Sequence, residues 1–185
     1  MKKEIEPTTS IYPLPVIMVT THDEKGNDNI MTAAWTTNIS SERPSIGIIM
    51  GGNSLSFKNI KQTRDFIINI PGQGLLKEID FCGENHGNKI DKFKETGLTK
   101  IEASIIGSKL IAECPINFEC RLRDIYPMDS ANLIVGEVVK VHMDENILTD
   151  EGKVDFFKLN PVVYSQKTYY SIKEGVAIRG FSGKK

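Results

Sequence analysis

The chain has no apolar run long enough to cross a bilayer: the longest, such as residues 46–50, cover a few positions, and Met1-Lys2-Lys3-Glu4 opens onto no apolar signal core. It has no surplus of charge either. Lys plus Arg number 23 against 24 for Asp plus Glu, giving a net charge of −1, so no broad field draws it to nucleic acid or to an anionic membrane. Any anion recognition has to be local. Cys82, Cys114 and Cys120 are odd in number and show no C-x-x-C spacing, which excludes a redox pair or a zinc knuckle and reads as reduced thiols in a cytoplasmic compartment. His22, His86 and His142 are too scattered to form a ligand set, so no metal is expected. Residues 23–28 look briefly like a calcium loop, but the glycine comes too early and the terminal glutamate is missing, which leaves a hairpin turn. Nor is there a linker, repeat or low-complexity tract. Residues 1–185 are therefore expected to form one domain, its core over about 11–172, large enough to bury roughly 70% of the unfolded surface.

What the chain does have is strand signal. Runs at 16–20, 30–36, 45–50, 66–70, 110–114, 116–123, 133–142 and 162–164 are bounded mostly by Gly, Pro, Asn or Asp, and 169–172 adds a further candidate. Helical pieces are expected at 55–63, 75–81 and 89–95, the last capped by Gly97. Many strands with a few short helices favour a mainly β antiparallel barrel over a doubly wound sheet.

Two segments carry the chemistry. Asn29-Ile30-Met31-Thr32-Ala33-Ala34-Trp35-Thr36-Thr37 holds the only tryptophan and reads as a strand held between neighbouring strands. Small side chains at Ala33 and Ala34 leave room for a flat ligand, and backbone N–H groups and threonine hydroxyls can meet its polar edge. An ordinary half-buried strand fits the same residues equally well. In Gly51-Gly52-Asn53-Ser54-Leu55-Ser56-Phe57-Lys58 the glycines free the backbone and the serines fall where a helix begins. Helix starts offer unpaired N–H groups and partial positive charge, so Ser54, Ser56 and Lys58 can hold a phosphate, although a plain N-cap explains the serines too. Gly72-Gln73-Gly74 lacks the third glycine of a dinucleotide fingerprint and reads as a strand-to-helix turn.

In shared order, several pieces resemble the flavin reductase-like family, in particular its flavoredoxin branch: residues 15–20, Asn29 to Trp35, Arg43-Pro44, residues 54–60 and 65–71, Asp80-Phe81-Cys82-Gly83, residues 87–93 with 96–99, and Gly136-Glu137-Val138-Val139. The resemblance covers about 11–170. It implies an antiparallel Greek-key split β-barrel with a few short helices, forming a homodimer with FMN near the interface. On the matching positions, Asn29, Met31, Thr32, Ala33, Ala34 and Trp35 would line the isoalloxazine and ribityl chain, and Ser54, Ser56 and Lys58 would meet the phosphate. Lys89 and Lys92 would approach the cleft, although by themselves they read as a solvated helix face.

The implied activity is an FMN-dependent oxidoreductase, with NAD(P)H passing hydride to flavin N5 and electrons moving on to a second acceptor. An FMN electron carrier serving protein partners is the alternative, and a split-barrel relative without flavin is a third. No protein acid, base or nucleophile is required. The chain departs from the family pattern twice: Ala131 stands where relatives often carry histidine, and Ser54 stands where a basic residue often precedes the phosphate-binding serine, so one charge-assisted bond is missing. Cys82 and Cys120 are read as packing residues.

Overall fold

The computed structural model describes residues 1–9 and 11–183. Among these residues twelve strands and four α-helices follow one another. The strands are β1 (Leu14–Pro15), β2 (Ile17–His22), β3 (Asp28–Ala33), β4 (Thr36–Ser40), β5 (Ser45–Gly51), β6 (Asp65–Ile70), β7 (Lys100–Ile101), β8 (Leu110–Ile111), β9 (Ile116–Pro127), β10 (Ala131–Met143), β11 (Val162–Ser165) and β12 (Thr168–Ser171). The helices are α1 (Leu55–Thr63), α2 (Leu76–Glu84), α3 (Lys92–Thr96) and α4 (Phe156–Leu159).

Seven strands form one antiparallel sheet in the order β3-β2-β6-β9-β10-β5-β4, the frame of a mainly β split barrel. Its two outer strands are consecutive in sequence. The chain crosses from one edge to the other through Ala34-Trp35, where Trp35 O accepts the Ile49 amide at 2.9 Å and the Thr36 amide bonds Ala34 O at 3.0 Å. The continuous strand expected over 30–36 is thus two strands. β3 pairs with β2 alone and β4 with β5 alone, so the segment is not flanked on both sides as its sequence suggests.

Alternation along β2 explains why both faces of this sheet are covered. Ile17 and Val19 enter the barrel interior with Ile48, Met50, Phe57, Ile60, Phe66, Ile68 and Ile134. Met18 points the other way, into a second cluster with Ile30, Ile79, Cys82, Phe93 and Ile111. Gly136 is a close approach: a Cβ there would fall 2.3 Å from Phe66 Cζ. All three cysteines are buried, and burial pushes the Cys82 thiol up to about 11 and the other two higher still.

The remaining differences lie at element ends. The strand expected over 110–114 stops at Ile111 because the chain turns, Cys114 N bonding Ile111 O. α2 begins after a 3-10 turn and runs on to Glu84. α3 starts at Lys92, where Asp91 accepts the Lys94 amide as N-cap, so Lys89 belongs to the preceding turn. Gly97 closes α3 at φ 70°, a conformation that suits glycine. No helix among the described residues is long and apolar enough to cross a membrane.

Candidate functional site

The site begins where β5 ends. Gly51-Gly52 turns the chain, Ser54 N bonds Gly51 O at 3.0 Å, and Ser54 Oγ accepts the Phe57 amide at 3.2 Å as the N-cap of α1. Ser56, one turn-position further, is 1% exposed, and its hydroxyl accepts a hydrogen bond from Asn29 Nδ2 at 2.9 Å. That bond ties the start of β3 to the start of α1. The two segments read separately from the sequence are therefore neighbours.

The loop after α2 closes the third side. Asn85 Nδ2 bonds back to Phe81 O at 3.0 Å, and Gly87 runs so close to β3 that a Cβ would lie 1.9 Å from Asn29 Oδ1. Only glycine fits there. Asp91 then caps α3 and sends Lys92 inward, where its Nζ donates to Cys82 O at 2.7 Å. Lys92 is 4% exposed and has no carboxylate partner among the described residues. Burial lowers its pKa, with the nearby Cys82 acting weakly against it. The solvated face expected of Lys92 is thus corrected: the N-cap rotates its side chain into the interior.

These elements enclose a cleft of about 530 Å³. Asn29, Met31, Thr32, Ser54, Ser56, Lys58 and Lys89 all line it, as does Lys92. No aspartate or glutamate does. A site with three lysines and no acid, in a chain of net charge −1, is built for an anion.

Beyond Thr32 and Gly83, which belong to both, lies a smaller cavity of about 200 Å³ that takes in Ala33, Ala34, Tyr164 and Tyr169. Thr32 Oγ1 donates to Ile79 O at 2.6 Å and fixes this wall. The two tyrosine rings pack 5.4 Å apart, tilted by 56°, and Tyr169 OH reaches Asp80 Oδ1 at 3.3 Å. Burial, with Asp80 nearby, pushes the Tyr169 hydroxyl up to about 12. Small residues on one side and aromatic rings on the other suit a flat ligand. The tyrosines had no sequence signal, because β11 and β12 read only as late strands.

Trp35 stands apart. It is 49% exposed and lines a separate groove of about 740 Å³ with Ile11, Pro13, Ile49 and Leu133. The crossing at Ala34-Trp35 leads it toward the opposite sheet edge from Met31 and Thr32, so the structure brings it neither into the cleft with the seven expected residues there nor into the smaller cavity with Ala33 and Ala34. Ala131 pairs with Gly51 beside the turn that leads into α1.

A mainly β sheet of this topology with a few short helices is the fold of split-barrel flavin reductases. The family model for the flavin reductase like domain matches residues 9–173, and the chain belongs to that family. Flavoredoxin of Desulfovibrio vulgaris (Miyazaki F) is 30% identical and superposes with a TM-score of 0.92 over 100% of both chains. A flavoredoxin from Methanosarcina acetivorans, 23% identical, reaches 0.89 over 99% of this chain and 98% of its own, a likeness of fold. Among curated relatives, the uncharacterized protein YddH of Escherichia coli (strain K12) is 30% identical over 148 residues, 77% of this chain and 76% of its own.

Proposed function

We propose that the cleft binds FMN, with the phosphate at the start of α1 and the ring reaching toward Ala33 and Ala34, and that the protein is an NAD(P)H-dependent oxidoreductase. The observation that carries the reading is the Asn29–Ser56 hydrogen bond: it joins the phosphate-ready helix start to the uncrowded strand within one acid-free, lysine-lined cleft. The residues fit the group. The positively polarised start of α1 and the Ser54 and Ser56 hydroxyls suit phosphate oxygens, with Lys58 and Lys89 supplying charge.

The chemistry such a flavin supplies is acceptance of hydride at N5 from a nicotinamide and delivery of electrons to a second acceptor. The chain's own residues bind, orient and shield. Thr32, held by Ile79 O, fixes the floor where the ring meets β3. Lys92, whose Nζ donates to Cys82 O, adds a third cation to the wall of the same cleft. A cation there favours any negative charge that develops beside it. Asp and Glu are absent from the lysine-lined cleft, while Glu84 lines the smaller cavity beside Ala33 and Ala34; hydride transfer itself needs no carboxylate.

Mixing flavin-loaded protein with NADH or NADPH without oxygen tests the activity. Loss of the flavin absorbance is expected with one nucleotide. No change with either leaves the second reading, an electron carrier working with a protein partner, which the 30% identity to a flavoredoxin favours. A colourless protein that takes up no added FMN ends both. We further infer a homodimer of single-domain subunits working in the cytoplasm: the apolar groove beside Trp35 and the exposed Ile39 offer a face for a second copy, and three buried thiols suit a reducing compartment.

A further inference from the structure

Of the three lysines that line the cleft, Lys58 and Lys89 are exposed and Lys92 is buried. Among the described residues the Lys92 Nζ has one hydrogen-bond partner, the Cys82 carbonyl at 2.7 Å, and no carboxylate. An ammonium group brings three protons to a place that offers one fixed acceptor, and burial there favours the uncharged amine. An uncharged lysine amine is a nucleophile. The neighbouring thiol is no rival: Cys82 is 0% exposed and burial pushes it up to about 11, so it keeps its proton.

The same cleft is suited to an anion. Ser56 Oγ accepts from Asn29 and so keeps its own proton for a phosphate oxygen at the start of α1. A nucleophilic amine and a phosphate grip within one cavity of about 530 Å³ define a ligand class, an aldehyde that carries a phosphate.

We propose that in the flavin-free protein Lys92 forms an imine with a phosphorylated aldehyde, held by its phosphate at the start of α1. Nζ adds to the carbonyl carbon; the carbonyl oxygen leaves as water with the two amine protons, and a C=N bond replaces C=O. No oxidant or reductant is involved, and hydrolysis reverses the step. A bound anion beside Lys92 favours the ammonium form and switches the nucleophile off. The imine therefore blocks flavin loading, and flavin blocks the imine; this competition alone rests on the flavin reading of the cleft.

The test is to treat flavin-free protein with pyridoxal 5′-phosphate, fix any imine with borohydride and map the label by peptide mass spectrometry. Lys92 is expected to carry most of the label, with roughly tenfold less when FMN or inorganic phosphate is in excess, and roughly tenfold less from pyridoxal, which lacks the phosphate. Lys92→Arg keeps a cation but cannot form the imine; it is expected to lose the blockable label while label on exposed lysines stays within about twofold. The map of the native chain stands whether or not that variant folds. Label on Lys58 or Lys89 instead, label spread evenly over exposed lysines, equal labelling by pyridoxal, or no block by either anion overturns the proposal. Block by phosphate but not by FMN supports the imine site and overturns the flavin reading.

Discussion

Lys92 and Glu119 are the charged residues buried among the described part of this chain, and the protein treats them in opposite ways. Glu119, on β9, is 0% exposed and fully provided for: His142 Nε2 lies 2.6 Å from Oε1, and the Ser104 and Ile105 amides donate at 2.7 and 2.8 Å. Burial is the largest single influence on it and acts upward, but those hydrogen bonds and the histidine together outweigh it and leave the carboxyl below its ordinary value. Lys92 has one carbonyl and no counter-charge. A charge with its partners built in holds the fold together; a charge left waiting marks where something else belongs.

Removing each charge separates the two roles. Glu119→Ala is expected to destabilise the protein by about 3–5 kcal/mol, since it empties a buried site and leaves the Ser104 and Ile105 amides and His142 without their acceptor, while FMN affinity at a permissive temperature stays the same; urea unfolding and a flavin titration check this. Lys92→Met is expected to do the reverse. Its FMN affinity falls by roughly 10–100-fold, the worth of a hydrogen bond to a charged group, while the flavin-free protein melts no lower than before. A lower melting temperature with unchanged affinity would place Lys92 alongside Glu119 as a structural charge.

The flat end of the site sharpens the contrast. Ala34→Leu is expected to weaken FMN about tenfold with little change in stability, because Ala34 faces the small cavity. Ala33 also packs against the barrel core, so Ala33→Leu is expected to cost about 1–3 kcal/mol of stability in addition. Thermal melts beside flavin titrations tell the two apart.

The smallest effect concerns pH. Glu119 has a folded pKa below its ordinary value of 4.5, so the stability it contributes is present above that value and is lost as the pH falls through the folded one. Denaturant midpoints taken from neutral to acid pH are expected to drop more steeply in the native chain than in Glu119→Gln. Parallel curves would remove the residue from the acid response.

Local pattern was enough for much of this. The limits of α1, a serine N-cap at Ser54 or Ser56, the stop at Gly97 and the existence of β2 follow from residues a few positions apart, because turn, cap and pleat energies act at that range. The break at Ala34-Trp35 could not be read so: nothing in 30–36 opposes a continuous strand, and only the closure of a seven-stranded sheet assigns its halves to opposite edges. Tyr164, Tyr169 and Asn85 joined the site for the same kind of reason.

By itself, then, the chain set apart two pieces, one small and hydroxyl-rich and one a serine-marked helix start, as the candidates for a flat ring and a phosphate. Tertiary structure alone decided that Asn29 meets Ser56, that Trp35 turns away, and that Lys92 points inward with no carboxylate partner among the described residues. Propensity and capping act between neighbours in sequence, whereas burial and the company a charge keeps are set by whichever distant strands and helices fold against it.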